Sequence, residues 1–402
     1  MDRVMITGAA GYIGRHLLSP LLNRGYEVHV VDIVPNGVRE EGLVWHTCDL
    51  LDHTETAKLV RRIAPKKMIH LAWNVGPGYS TSPSNLDWVA ASLNLMNSFK
   101  DVGGKRAIFA GSSFEYDPRY GYCVENLTPT TPPQIYGKSK AALSNLVCSF
   151  AEQHGISLAW TRFFPSYGPN EKPSRLVPAV INSILTGKPV KVGVCNTYQD
   201  YSYVQDLGEA AFALFESDVR GPVNIASGRP IPLRDIVTKI SELMNYSGKI
   251  QWGAVPPSSN GSFSVAATER LNNEVGWLHQ VELCEGLQRT IDWWKQNNRE
   301  RGTALRLVTS HKSQAMTVPI SPSRRKSLFQ RTAEFLLRPF KSCIVRLARH
   351  IARHELTAIE NIRRTNQQLT TKIVEITKIV EKMENEKQNI SNNFSLTIKK
   401  SA

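Results

Sequence analysis

Over residues 1–75 short apolar runs alternate with stretches of helical period. Val4-Met-Ile6, Val28–Val31, Leu43–Trp45 and Lys67-Met-Ile-His-Leu-Ala72 read as strands, with helices between Arg15 and Gly25 and between Thr54 and Ile63. Strands alternating with helices fold as a parallel sheet with helices on both faces, so the class is α/β, doubly wound. The pattern continues with a polar loop at 74–85, read as a lid, and a helix carrying Asn94. Next come a strand over Arg106–Ala110 ending at Gly111-Ser112-Ser113, a helix from Tyr136 to about His154, and a strand over Leu158–Arg162. Beyond Pro165 the punctuation by Pro and Gly thickens. Arg175–Leu185 reads as a helix, Asp206 as the cap of another, and strand-like and helical pieces alternate as far as Trp294, where Trp293 and Trp294 read as packing residues. This organisation predicts a nucleotide-binding domain at 1–165 and a smaller C-terminal substrate domain at 166–300, interleaved with it. A linker (301–325), two basic helical pieces (326–354) and a heptad-repeating stretch (355–392) follow.

Composition narrows the class. The 402 residues are 41% hydrophobic and 21% charged, which suits a globular body. No apolar run reaches membrane-spanning length, and the chain enters a strand at once, so a cytoplasmic protein without a leader is expected. Six scattered cysteines fit reduced thiols, and neither they nor the ten histidines have metal-ligand spacing, so no metal is expected. Of the net charge of +14, +12 falls in residues 303–402. The body is therefore nearly neutral, and nucleic acid is not an expected partner.

The chemistry begins at Thr7-Gly-Ala-Ala-Gly-Tyr-Ile-Gly14, between the first strand and the first helix. Glycines here let the backbone turn tightly against a pyrophosphate, whose charge meets the helix N-terminus. Gly8, Gly11, Tyr12, Ile13 and Gly14 are the candidate pyrophosphate residues. Asp32 ends the second strand, where a carboxylate can accept from an adenosine ribose diol and would repel a 2′-phosphate, which favours NAD, with NADP as the alternative. Asp49 and Leu50 follow the third strand, where an adenine would lie, and Leu71 and Ala72 border the cleft at the end of the fourth. Tyr136 and Lys140 stand four apart at a helix start and share a face. An ammonium near a phenol is expected to lower its pKa, preparing it to exchange a proton with a sugar hydroxyl or carbonyl. Ser112 is placed to donate to the same substrate oxygen. Trp73 and Asn74, directly after the fourth strand, are candidates for the sugar pocket, as are Ser113 and Glu115.

Taken with Asp200-Tyr-Ser-Tyr-Val204 and Asn224-Ile-Ala-Ser-Gly228, these motifs resemble the extended short-chain dehydrogenase/reductase family, in its NAD-dependent epimerase/dehydratase branch, over about residues 1–298. Within it, Gly111-Ser-Ser-Phe-Glu-Tyr-Asp117 and Gly121-Tyr-Cys-Val-Glu125 resemble a subgroup that includes CDP-abequose synthase-like 4-ketosugar reductases. The resemblance implies a Rossmann fold, a nucleotide-linked sugar as substrate, and a place in surface-polysaccharide or deoxysugar synthesis. It implies reduction of a 4-keto sugar or, alternatively, epimerisation through a 4-keto intermediate. A non-catalytic NAD-binding scaffold is the reading from another class, and the complete Ser112/Tyr136/Lys140 set argues against it. Two departures refine this. The adjacent acid pair of the family's dehydratases is replaced by Ser113 and Phe114, which argues against water elimination. The family's phosphate-binding arginine before Asp200 is Gln199, which makes Arg175 the main phosphate candidate, and the sugar-contacting Asn is Pro165.

The tail adds two expectations. Ile359, Ile362, Asn366, Leu369, Ile373, Ile376, Val380 and Met383 repeat in sevens, predicting a coiled coil and a homo-oligomer. Residues 326–354 interleave Arg and Lys with Phe and Leu, a pattern of peripheral contact with a membrane surface.

Overall fold

The computed structural model describes residues 2–33, 40–256 and 263–314. The chain runs β1 (Arg3–Thr7), α1 (Arg15–Asn23), β2 (Glu27–Asp32), β3 (Leu43–Thr47), α2 (His53–Ile63), β4 (Lys67–His70), α3 (Asn85–Asp101), β5 (Arg106–Ser112), β6 (Tyr122–Cys123), α4 (Ile135–Gln153) and β7 (Ser157–Phe163). It continues through β8 (Ser166–Tyr167), α5 (Leu176–Leu185), β9 (Val190–Lys191), β10 (Tyr198–Asp200), β11 (Ser202–Tyr203), α6 (Val204–Glu216), β12 (Gly221–Ile225), β13 (Pro230–Pro232), α7 (Leu233–Leu243), β14 (Ile250–Gln251), β15 (Phe263–Ala266) and α8 (Leu283–Gln314).

Seven strands form one parallel sheet in the order β12-β7-β5-β4-β1-β2-β3. Its central strands are apolar throughout because both faces are covered: Val4, Met5, Ile6, Ile69 and Ile108 have at most 1% exposure. Leu17, Leu18 and Leu21 of α1 pack with Leu207 and Leu214 of α6 on one face. Leu59 and Ile63 of α2, Leu95 and Phe99 of α3, and Leu143 and Val147 of α4 cover the other. The strand order turns at β1, which pairs with β2 on one side and β4 on the other. Chain connections diverge there, leaving a crevice at the carboxyl ends of the strands. Thr7 pairs in register with both Val31 and His70, so the ends of β1, β2 and β4 meet at the crevice.

The later part of the chain is divided between two jobs. α6 and β12 return to the large sheet, β12 pairing with β7 from Gly221↔Ala159 to Ile225↔Phe163. α5, α7 and α8 form a third core around Val177, Ile181, Ile236, Ile240, Leu287 and Trp294. Residues 1–307 pack as one compact unit. Two expectations are corrected. α6 begins at Val204, so Asp206 is not its cap; its Oδ2 instead accepts the backbone N–H groups of Gln280 and Val281. α8 runs unbroken to Gln314, so the first part of the expected linker is helical, because no proline interrupts the stretch before Pro319. The rest of that linker, the basic pieces and the heptads lie outside the described residues.

Arg106, at the start of β5, locks α6 to the sheet. Its guanidinium donates to Ser157 Oγ (2.8 Å), to the carbonyls of Phe215 (3.2 Å) and Val219 (2.9 Å), and to that of Leu214. The carbonyls of Leu214 and Phe215 end α6 and need a partner when buried, and a cation at a helix C-terminus also meets the helix dipole. Arg106→Met keeps the stem and removes the donors. It is expected to lower unfolding stability by about 3 kcal/mol, read as a fall in the urea midpoint with the slope unchanged.

Candidate active site

The crevice is built by close backbone approach. Gly8 has φ +71°, and a Cβ there would lie 2.8 Å from Ala72 N. A Cβ on Gly14 would lie 2.4 Å from Gly8 O. Both glycines are therefore required for β1 to turn into α1 against the end of β4. Thr7 Oγ1 hydrogen-bonds His70 Nδ1 at 2.7 Å, and His70 Nε2 meets Ser92 Oγ at 2.9 Å. Burial pushes the His70 imidazole down to about 3, so this link is made by a neutral ring. Asp32 Oδ2 accepts the Ala10 N–H at 3.3 Å, which turns its carboxylate toward the glycine turn. Asp49 accepts from Leu51 N at 3.0 Å and holds the turn in which Leu50 is buried.

One cleft is lined by Gly8, Gly11, Tyr12, Ile13 and Gly14, by Asp32, Asp49 and Leu50, and by Leu71, Ala72, Trp73 and Asn74. Ser112, Tyr136 and Lys140 line its other end. A cradle with no side chain, at the N-terminus of a helix, with a carboxylate at the next strand end, fits a dinucleotide. All the expected cofactor residues are brought together. The carboxylates among the lining residues are Asp32, at the end of β2, and Asp49, after β3; no lining carboxylate follows β4 or β5.

Tyr136 sits on the first turn of α4, packed among Tyr79 (ring centroids 4.9 Å apart), Phe114 (6.3 Å) and Trp73 (6.4 Å). Burial lifts its phenol well above the ordinary range, while a hydrogen bond from the Ser112 hydroxyl and the nearby Arg175 charge draw it back. The expected lysine-lowered phenol is thus corrected. Lys140 Nζ donates to Ala110 O at 2.6 Å and lies 3.7 Å from the centre of the Trp73 ring. Its own burial pushes it down to about 7, with Glu115 opposing, so near neutrality it carries only part of a charge. Ser112 stands at the end of β5, where its hydroxyl also accepts from Phe114 N at 3.2 Å.

Trp73 lines the cleft, stacks on Trp88 and donates Nε1 to Asn85 Oδ1 at 2.9 Å. Asn74 lines it too, its Oδ1 accepting from Gly76 N. Ser113 faces a smaller neighbouring pocket with Phe114, Pro165 and Gln199. Arg175 precedes α5, and its charge acts on Tyr12, Tyr79, Tyr136 and Tyr201.

Glu115 is the misplaced member of the expected set. It is 0% exposed and does not reach a pocket. Its carboxylate accepts from Ser112 N (2.8 Å), Trp160 Nε1 (2.9 Å) and Arg162 Nε (2.8 Å), because the short helix at Ser113–Glu115 turns it back into the core. Tyr79, whose ring packs on Tyr136, and Glu171, beside Arg175, were not singled out from sequence. The only local signal was the four-residue spacing of Glu171 and Arg175.

A family model described as the NAD dependent epimerase/dehydratase family matches residues 4–226. The chain is 28% identical over 299 residues to UDP-glucuronic acid decarboxylase 5 of Arabidopsis thaliana, covering 71% of this chain and 87% of that one. It is 23% identical to UDP-glucuronate 4-epimerase of Thermodesulfobacterium geofontis, covering 74% and 97%. Among solved structures, UDP-glucose 4-epimerase of Thermus thermophilus in complex with NAD superposes with a TM-score of 0.65 at 26% identity, covering 73% and 99%.

The depressed Lys140 has a consequence for stability. Folded, it releases its proton near pH 7; unfolded, near about 10.4. Between these values the unfolded chain binds the extra proton, so this group makes stability rise with pH. From pH 7 to 9 the ligand-free wild type should gain about 2 kcal/mol relative to Lys140→Met, measured by urea unfolding at each pH. Parallel curves would show that Lys140 is charged in the folded protein.

Proposed function

The chain belongs to the NAD-dependent epimerase/dehydratase family, and from that premise we propose that it oxidises C4 of a nucleotide-linked sugar and re-reduces it in the same turnover, as a 4-epimerase. The observation that carries this is the pairing of Ser112 with Tyr136 in a cleft whose lining carboxylates, Asp32 and Asp49, belong to its cofactor end. Proton exchange at a hydroxyl is provided for, whereas removal of water or of a carbon-bound proton would need an acid–base pair where Ser113 and Phe114 stand.

The residues divide by role. Gly8, Gly11 and Gly14 with the start of α1 would hold a pyrophosphate, and Asp32 a ribose diol. Asp49 and Leu50 would border the adenine, and Leu71 and Ala72 the inner wall. NAD supplies, when bound, the acceptor and source of hydride. Tyr136 takes the proton of the sugar hydroxyl and returns it; Ser112 donates to the same oxygen. Lys140, held beside Ala110 O and the Trp73 ring, would hold the ribose next to the nicotinamide. Arg175 meets the diphosphate of the substrate. Trp73 and Asn74 wall the sugar, and Ser113 borders it. Asp32 favours NAD over NADP, which suits a reaction that returns its hydride.

A second reading is net reduction of a 4-keto sugar. The smaller pocket supports it: one wall, Phe114, Pro132, Pro133 and Pro165, is apolar and suits a deoxygenated carbon, while Ser113, Asp117, Gln134 and Gln199 supply polar contacts for the rest of the sugar.

The test is to incubate the NAD-loaded protein with UDP- and dTDP-hexoses in D2O and follow the sugars by NMR. The C4 epimer should form without deuterium at C5 and without loss of water or CO2, and Tyr136→Phe should slow it by about 10²–10⁴-fold. Deuterium at C5 or an eliminated product would overturn both readings. No epimer, with a 4-keto-6-deoxy nucleotide sugar consumed at the expense of reduced cofactor, would select the second.

A further inference from the structure

Glu171 is a buried carboxyl group, next in sequence to the cleft residue Lys172, that the proposed reaction does not use. Glu171 has 4% side-chain exposure, and its Oε1 lies 3.8 Å from Arg175 Nε. Its Oε2 has no hydrogen-bond partner among the described residues. The groups coupled to it by charge come from three elements: Arg175 from the turn before α5, Tyr12 from the glycine turn, and Tyr201 between β10 and β11. Lys172, next in sequence, is turned away and donates to Val75 O in the lid loop. Arg175 itself is half exposed, with its charge directed at Tyr136 and Tyr79.

This arrangement is a poor permanent ion pair. A buried carboxylate needs several donors, and here one long contact to Arg175 leaves an oxygen bare. We propose that Glu171 is a positioning residue that sets the charge of the diphosphate subsite: neutral, it leaves the Arg175 guanidinium free to meet the substrate diphosphate, and ionised, it competes for that guanidinium and repels the anion. The proposal rests on the nucleotide-sugar reading above. Its physical basis is simple. A diphosphate brings two negative charges to one arginine, and a third negative charge 3.8 Å from that arginine opposes binding. A protonated carboxyl can instead donate a hydrogen bond to an incoming oxygen. Burial, only partly offset by Arg175, pushes the Glu171 carboxyl up to about 8, so the two states exchange within the range where the enzyme can be assayed.

The consequence is a specific pH dependence of binding. With the proton required for binding and lost near pH 8, the Kd should rise about fourfold between pH 7.0 and 8.5. UDP-glucose and dTDP-glucose are the probes, because their diphosphates do not titrate in this range. Binding to the NAD-loaded full chain is measured by calorimetry in buffers of different ionisation heat. The wild type should take up about half a proton per ligand at pH 8 and show the fourfold weakening. Glu171→Gln, which keeps the shape and cannot ionise, should lose both. A purely structural Glu171 would change melting temperature and leave the pH profile in place.

Weakening and proton uptake that survive Glu171→Gln would assign the proton to another group, such as Lys140, and overturn the proposal while leaving the function reading intact. If Glu171→Gln fails to fold, Glu171→Met repeats the comparison, and absence of proton uptake by the wild type at pH 8 overturns the proposal without any variant. Failure of both nucleotide sugars to bind at either pH would overturn the function reading together with it.

Discussion

The end of β5, where Ser112 stands, depends on one buried ion pair. Glu115 receives Arg162 Nε at 2.8 Å, with the two side chains 0% and 5% exposed. The same carboxylate holds Ser112 N and Trp160 Nε1. Arg162 spreads further, donating to Tyr116 Oη (3.1 Å) and to Glu125 O (2.8 Å), and Tyr116 Oη donates to Asn224 Oδ1 at 2.7 Å. Residues from β5, β7, the loop after β6 and β12 are thus joined in one hydrogen-bonded network. Such a pair adds little to net stability, because burying both charges costs about what their attraction returns. Losing one partner costs far more, so the geometry of Ser112 is over-determined.

Burial then sets the charges. The phenol of Tyr136 is driven up and the ammonium of Lys140 down toward 7 by the same enclosure. Both groups therefore lean toward their neutral forms, which is the cheapest way to hide two titratable groups. Glu171 follows the same logic: its burial pushes the carboxyl up, only partly offset by Arg175.

Much of this was legible in the sequence because the signals are local. Thr7 to Gly14, Asp32 and the Tyr136–Lys140 spacing each fix a strand end or a helix face within a few residues, and the seven-stranded sheet follows from the alternation of apolar runs. What escaped depends on distant partners. Glu115 reads as a pocket residue beside Ser112 and Ser113, yet Trp160 and Arg162, more than forty positions on, turn it inward. Lys140 shares a face with Tyr136 but is drawn to Ala110 O and Trp73. Glu171 offered only its four-residue spacing to Arg175; its burial and its coupling to Tyr12 and Tyr201 come from the folded chain.

The central claim is a redox-neutral cycle on a retained NAD, and the most direct test needs no substrate. Protein purified without added cofactor is denatured, and the supernatant is assayed enzymatically for NAD(H) and NADP(H). The account predicts NAD in near-stoichiometric amount. NADP, or no nucleotide together with NADPH-dependent turnover, would contradict the role given to Asp32 and the cycle built on it.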